Sequence, residues 1–249
     1  MRALVTGGSA GLGQALCEAL LVDGFQVVNL DCDPPKEISE AEYLHCDLSS
    51  HDDVDKALDA LTSQTGFDLV IFNAGISATG KFEDISTTSH ARIIAVNAEA
   101  PMVLCAGLMK LGKINHGGNI GFVSSLSHFT GYPGAASYAA SKDALAVYAR
   151  AVRKVWRRKF NVKVTAIFPG PLKTDHAARH SPEGADAEKR MTADEAALLI
   201  LRDIKKGRAH SILGGAAKTF AFLGQIAPKP MTLAMKKIIY TKLDKTVAD

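Results

Sequence analysis

Residues 3–13 read Ala3-Leu4-Val5-Thr6-Gly7-Gly8-Ser9-Ala10-Gly11-Leu12-Gly13, a short apolar strand running straight into a glycine turn. The turn opens a helix, because Leu12, Ala15, Leu16, Ala19 and Leu20 recur at helical spacing. Glycines let a backbone turn tightly and approach a pyrophosphate, while a helix start offers free N–H groups and the positive end of its dipole. Gly7, Ser9, Gly11, Leu12 and Gly13 are therefore candidate cofactor contacts. The spacing is G-x-x-x-G-x-G rather than G-x-G-x-x-G, and taken alone such a turn also serves a purely structural role.

Outward from the turn, strand-like segments fall at 25–30, 69–72, 119–124 and 162–168, and helix-like segments at 52–61, 90–111, 139–158 and 192–205. Strands separated by helix-length segments imply βαβ units and a parallel sheet, hence an α/β fold. No Pro/Gly/Ser-rich linker or repeat interrupts the pattern, so a single domain over 1–249 is expected. A chain of 249 residues buries a sizeable core, and 47% hydrophobic with 22% charged residues excludes wholesale disorder or a collagen-like repeat. There is no run of 18 apolar residues, which argues against a transmembrane helix. The start lacks the layout of a signal or transit peptide. The cysteines at 17, 32, 46 and 105 are scattered without metal-ligand spacing. A cytoplasmic protein with reduced core cysteines and no metal site is the expectation.

Charge is unevenly spread. Residues 1–75 carry 3 basic and 13 acidic side chains, a net of −10, within a chain whose total is +3. Asp31 ends the second strand 18 residues after Gly13, about where an acidic side chain holds a ribose 2′-OH and repels a 2′-phosphate. The glycine loop has no Lys or Arg, and the first one after the second strand is Lys36. NAD is expected over NADP, with Asp33 as the fallback for the same role and a mere strand-end cap as the bland reading. Asp47-Leu48 and Asn73-Ala74-Gly75 lie where strand carboxyl ends open into the ligand crevice of such a sheet, though each is also an ordinary turn sequence.

The chemistry is carried by Ser125 followed by Tyr138-Ala139-Ala140-Ser141-Lys142. Tyr138 and Lys142, four apart on a helix, project from one face. A phenol is a poor acid–base catalyst at neutral pH, and a cation one turn away favours the phenolate and lowers its pKa. A hydroxyl from the preceding strand end is placed to hydrogen-bond a carbonyl or alcohol oxygen. A lone Tyr-x-x-x-Lys is common on helices, but behind a nucleotide turn and beside a serine it reads as a site.

Together TGGSAGLG, CDL at 46–48, NAG at 73–75, Asn97, Ser125, YAASK at 138–142 and PGPLKT at 169–174 resemble the short-chain dehydrogenase/reductase family, in its single-domain subtype. The resemblance covers residues 2 to about 215. It implies a Rossmann-like doubly wound sheet and hydride transfer between nicotinamide and a secondary alcohol or ketone. In that scheme Tyr138 is the general acid/base, Ser125 orients the reacting oxygen, and Lys142 holds the nicotinamide ribose and tunes the tyrosine. Asn97 supports a proton-relaying water. Asp47 and Leu48 face the adenine, Asn73, Ala74 and Gly75 back the cofactor, and Pro169, Gly170 and Thr174 meet the nicotinamide end. Phe72 stands where the family often has another Asn, a departure expected to alter strand support and not the reaction. A homodimer or homotetramer is implied as well, through the helix that carries the Tyr–Lys pair.

The basic excess lies partly on that helix, where Arg150, Arg153, Lys154, Arg157, Arg158 and Lys159 face away from an apolar side of Leu145, Tyr148, Val152, Val155 and Trp156. A solvated or subunit-facing surface is expected there. Neither interleaved aromatics nor a recognisable module points to nucleic acid. Residues 216–249 add a net of +4 and read as an amphipathic helical tail, with Met231, Met235, Ile238, Ile239 and Leu243 on one face. Such a tail caps the active site, packs on a second subunit, or makes peripheral contact with an anionic membrane. The loop at 175–191 is short, polar and uninformative about the substrate, while the apolar tail hints at a hydrophobic, lipid-like one. A non-catalytic NAD-sensing module is the alternative from another class, and the intact Ser125–Tyr138–Lys142 set speaks against it. Sugar epimerases share the Tyr–Lys pair but need an extra domain for which this length leaves little room.

Overall fold

The computed structural model describes residues 1–181, 188–243 and 246–249. Its centre is a seven-stranded parallel sheet made of β1 (Arg2–Thr6), β2 (Gln26–Asp31), β3 (Glu42–His45), β4 (Phe67–Phe72), β6 (Ile114–Val123), β7 (Lys163–Phe168) and β10 (His210–Ile212). The spatial order is β10-β7-β6-β4-β1-β2-β3. The chain winds one way from β1 to β3 and the other way from β4 to β10, so the winding reverses between β1 and β4. In such sheets the ligand crevice lies at that switch point, outside the carboxyl ends of the strands. Thr6 is level with Leu30 on one side and Phe72 on the other, so the residues following all three strands share one edge. β1 is buried throughout, as a central strand covered on both faces must be.

Helices α1 (Gly11–Val22) and α8 (Ala193–Lys205) cover one face, burying Leu16, Leu20, Ile200 and Ile204 against Val5 and Ile71. The other face carries α2 (His51–Thr62), α4 (Ala100–Lys110) and α6 (Ala136–Phe160), with Leu61, Leu104 and Leu145 in the core. The Rossmann-like α/β architecture expected from the sequence is present. β10 was not anticipated, because three residues give no periodicity to read. Phe72 stacks on Phe122 at 5.1 Å, so the departure from the family pattern supports the strand by ring packing where an Asn would use hydrogen bonds. Cys17, Cys46 and Cys105 are buried and Cys32 is exposed, all as free thiols.

The helix expected at 90–111 is composite: α3 (Thr87–Ile94), a π-helical turn at Ala95–Glu99, then α4. The run Thr87–Lys110 is long and apolar enough to cross a bilayer by length and composition. Half of its most apolar window is buried in the protein, which explains the apolarity as that of a core helix. On α6 two expectations are corrected. Arg153 is not a solvated charge, since its Nε donates to the Val164 carbonyl at 3.0 Å and its guanidinium also bonds the Ala209 carbonyl. Val155, assigned to the inner face, is 58% exposed.

Short elements line the carboxyl edge: β5 (Ala78–Thr79), α5 (Ser127–Thr130), β8 (Leu172–Lys173), α7 (Asp175–Arg179) and β9 (Met191–Thr192). β8 pairs with β9 and closes the base of the loop between them, whose residues 182–187 lie outside those described. The tail forms α9 (Gly215–Ile226), α10 (Pro228–Ile238) and β11 (Val247–Ala248). α9 and α10 pack against α5, and β11 joins β5 antiparallel. Met231, Met235, Ile239 and Leu243 are half-buried, whereas Ile238, expected on the same face, is 54% exposed. The tail charges Asp244 and Lys245 lie outside the described residues.

Candidate active site

The glycine turn is shaped by contacts from three strands. Gly7 and Gly11 have φ of +69° and +53°, left-handed values that a side chain resists. Gly7 also lies so near β4 that an added Cβ would sit 2.8 Å from the Ala74 Cα. Asn73 locks this approach: its Nδ2 donates to the carbonyls of Thr6 and Gly7, both at 3.1 Å. The N–H groups of Asn73 and Ala74 donate to Thr6 Oγ1. The Asn-Ala-Gly segment therefore backs the turn from behind. The N-cap of α1, Ala10, gives no side-chain hydrogen bond, and the helix has no acidic residue in its first turn. Its first N–H groups face the crevice unclaimed by side chains, which fits a pyrophosphate.

On the β2 side, Asn29 was missed by sequence reasoning, although an Asn inside Val-Val-Asn-Leu-Asp was a visible anomaly. Its Oδ1 accepts from the Gly8 N–H at 2.9 Å and its Nδ2 donates to Ser9 Oγ at 2.9 Å. Ser9 Oγ in turn donates to the Asp33 carbonyl. Asp31 accepts from the Ser9 N–H at 2.9 Å, so its carboxylate stands beside the turn. Burial, and then the charges of Asp31 and Asp33, push the Cys32 thiol up to about 11. That shift reports a locally negative field. Asp47 accepts from the hydroxyl and N–H of Ser49, which hold its carboxyl below the usual range. The Leu48 side chain is in the core, leaving its backbone to the crevice.

The catalytic-type residues converge from β6 and α6. α6 starts at Ala136, earlier than expected, and so puts Tyr138 in its first turn. Ser125, two residues past β6, has its hydroxyl near the Tyr138 phenol and also accepts from the Ser127 N–H at 3.2 Å. Burial raises the Tyr138 pKa and the Ser125 hydroxyl opposes it. Lys142 was expected to be the group that lowers the phenol. Instead its Nζ is turned to the Val123 carbonyl at 3.0 Å and the Ala74 carbonyl at 3.5 Å. Only a glycine at 75 leaves room for it, since a Cβ there would lie 2.7 Å from Nζ. Burial pushes Lys142 down to about 8. Asn97 sits in the π-helical turn, a feature frequent at functional sites. Its Oδ1 accepts from the Ile76 N–H and its Nδ2 donates to the Ile76 carbonyl, each at 2.8 Å, with Ser141 Oγ at 3.0 Å. Thr174 caps α7 and faces Gly11 across a gap where an added Cβ would be 3.4 Å from its methyl. Pro169 accepts from the Leu126 N–H through its carbonyl, and Gly170 follows beside Leu126.

A further group, invisible to motif reading, closes this edge. Asp249 Oδ2 accepts from the Ser77 N–H at 2.9 Å and lies 3.0 Å from His180 Nε2 and 3.2 Å from His176 Nδ1. Arg179 pairs with the other carboxylate oxygen. His180 Nδ1 meets Thr79 Oγ1, and the Tyr132 hydroxyl donates to the His180 carbonyl. Burial, then nearby Tyr138, push Tyr132 up to about 12, keeping it a neutral donor. His176, His180 and Asp249 are ligand-type groups, the one such cluster among the described residues. Their atoms are already engaged with one another and with Arg179, so the cluster acts as a clamp on the tail. A hollow of about 560 Å³, lined by Arg2, Phe25 and Gln64, opens at the amino ends of the strands, the opposite edge from Tyr138.

A family model described as short chain dehydrogenase matches residues 1–184. Cyclopentanol dehydrogenase of Comamonas sp. (strain NCIMB 9872) is 29% identical over 182 residues, covering 69% of this chain and 72% of that protein. The 3-oxoacyl-[acyl-carrier-protein] reductase MabA of Mycobacterium bovis (strain ATCC BAA-935 / AF2122/97) is 29% identical over 175 residues, 69% of each chain. Among solved structures, a short-chain dehydrogenase from Sphingobium yanoikuyae in complex with NADPH superposes with a TM-score of 0.73 at 21% identity, over 91% of this chain and 94% of that one.

Lys142 makes a prediction whose sign is fixed. Its folded pKa of about 8 lies below the ordinary 10.5, so between those pH values the unfolded chain binds the extra proton. The buried ammonium thus costs stability at pH 7, and the cost disappears as pH rises from about 8 to 10.5. Lys142→Met should gain on the unmodified protein by on the order of 2 kcal/mol more at pH 7 than at pH 10.5. Urea denaturation of both proteins at the two pH values measures it. A stability difference that does not change with pH contradicts the burial of the charge.

Proposed function

The chain belongs to the short-chain dehydrogenase family, and on that premise we propose that it is a NAD-dependent oxidoreductase acting between a secondary alcohol and its ketone. The observation that carries the reading is the convergence of Ser125 and the half-buried Tyr138 phenol, one helical turn from a buried lysine and beside an uncapped glycine turn. A bound nicotinamide supplies or accepts the hydride. Ser125 holds the substrate oxygen within reach of the phenol. Tyr138 takes the hydroxyl proton as the alcohol is oxidised and returns it when the ketone is reduced. Lys142, anchored on the Val123 and Ala74 carbonyls one helical turn from the phenol, would hold the nicotinamide ribose. Asn97, tied by both amide atoms to Ile76, fixes the wall beside that lysine. A sensor without catalysis would have no use for a serine, a tyrosine and a lysine brought together at one edge.

Preference for NAD rests on the negative field around Asp31 and Asp33, which a 2′-phosphate would have to enter. The apolar tail beside the substrate edge favours a hydrophobic alcohol or ketone. Self-association is proposed through the α4–α6 face, where Val103, Val147 and Val155 are 43%, 47% and 58% exposed.

Tyr138→Phe is expected to abolish NADH formation across a panel of secondary alcohols while leaving NAD binding, read by quenching of protein fluorescence, within about twofold. Turnover retained by that variant sinks the role of the phenol. Asp31→Ala should cut the ratio of kcat/KM for NAD over NADP by about tenfold, a change worth about 1.4 kcal/mol. If the unmodified enzyme already prefers NADPH, the charge reading is wrong. Light scattering should give a mass at least twice the 26.4 kDa of one chain, and Val147→Asp should halve it or more. A monomeric unmodified protein at micromolar concentration would end the proposal of self-association.

A further inference from the structure

Helix α9 is seated with its large apolar side chains outward. Its inner face is Ala217, Ala221 and Gly224, all buried, and a Cβ at Gly224 would collide with the Phe129 carbonyl of α5. The opposite face carries Phe222, Leu223 and Ile226, of which Phe222 is 62% and Ile226 66% exposed. α10 continues the pattern with Leu233 at 67% and Ile238 at 54%. A surface helix ordinarily turns its large apolar residues toward the core. Here small residues achieve the docking, and the larger ones are left for something else. Large apolar side chains left exposed together in this way mark an interaction site.

Charge says what that partner is. Between Asp203 and Asp244 the sequence has eight Lys or Arg and no carboxylate. On the two helices Lys218, Lys229, Lys236 and Lys237 are all exposed around the apolar face. A second copy of the chain, docked by a two-fold axis through this face, would oppose these lysines to themselves. An anionic lipid surface instead offers both an apolar interior and a negative rim.

We propose that α9 and α10 form a docking face for an anionic lipid surface, with Phe222, Leu223 and Ile226 entering the acyl boundary and the lysines meeting the headgroups. The face adjoins the substrate side. α5 begins two residues after Ser125 and touches both helices, with Thr232 Oγ1 donating to the Thr130 carbonyl at 3.3 Å. Docking would therefore bring the edge that holds Ser125 and Tyr138 close to the lipid.

The test is sedimentation of the full chain with phosphatidylcholine vesicles, with and without phosphatidylglycerol. At low salt the unmodified protein should sediment with the anionic vesicles and remain largely in solution with phosphatidylcholine alone. Salt at about 0.5 M should weaken the association, because the lysine contribution is screened. The double variant Phe222→Ser/Ile226→Ser should partition at least about tenfold less, and so should Lys229→Glu/Lys236→Glu/Lys237→Glu. All five positions are exposed and outside the catalytic machinery, and circular dichroism with alcohol turnover in solution checks that each variant is folded. A protein that stays in solution with anionic vesicles at low salt overturns the proposal. So does undiminished sedimentation of both variants, or a lipid-free dimer that Phe222→Ser/Ile226→Ser dissociates, which would assign the face to a second copy.

Discussion

An ammonium group taken out of water keeps its charge only where oxygen atoms replace the hydration it has lost. Lys142 finds those oxygens at the carboxyl ends of two different strands, in the carbonyls of Val123 after β6 and Ala74 after β4. To reach both, the side chain passes position 75, where a Cβ would obstruct it. The next residue, Ile76, is gripped by Asn97 from the π-helical turn, and Asn97 leans on Ser141 from the turn of α6 that bears the lysine. β4, β6, α6 and the helix between them are thus held to one point. A buried cation that lowers stability at neutral pH is a familiar compromise of sites that use charge.

The parts of this arrangement that the sequence displays are those whose physics is local. A glycine turn between an apolar strand and a helical repeat, and a Tyr four residues before a Lys, are each legible because spacing alone dictates geometry. What stayed hidden depends on partners far along the chain. Asn29 braces the glycine turn across more than 20 residues, and Asp249 reaches Ser77 across 172. Arg153 looked like one more solvated charge until the edge strands supplied carbonyls for it. The direction of the Tyr138 shift was misread for the same reason, since burial is a property of the whole fold. Periodicity also announced an amphipathic tail without telling which face goes inward. On α9 that choice was settled by the size of Ala217, Ala221 and Gly224 against a backbone carbonyl, not by hydrophobicity.

The uneven charge of the sequence divides along the same lines. The acidic first third surrounds β2 and the loop after it, where the raised Cys32 thiol records the field of Asp31 and Asp33. The basic remainder is not one surface. Arg153 is spent on backbone carbonyls of the sheet, while five of the eight basic residues between Asp203 and Asp244 lie on the tail. A total of +3 is the sum of an acidic first third and a basic remainder made of unlike parts.

The tail is fastened at both ends. Near its start Gly224 seats α9 on the α5 backbone, and at the far end β11 joins β5. Between them Leu243 fills the space beside Gly134, just ahead of the helix that carries Tyr138. The tail is therefore part of the wall next to the reacting groups, and any opening there has to release Asp249. Burial works to raise the Asp249 carboxyl, but hydrogen bonds from His176, His180 and the Ser77 N–H outweigh it and hold the group well below the usual carboxylate range. A lowered carboxyl contributes stability that is present above its unfolded pKa and lost only as pH falls through the folded one. Across the ordinary pH range the carboxylate end of the clamp is constant. Whatever loosens the tail must then act on the partners of Asp249 or pull on α9 and α10, which are the segments left facing outward.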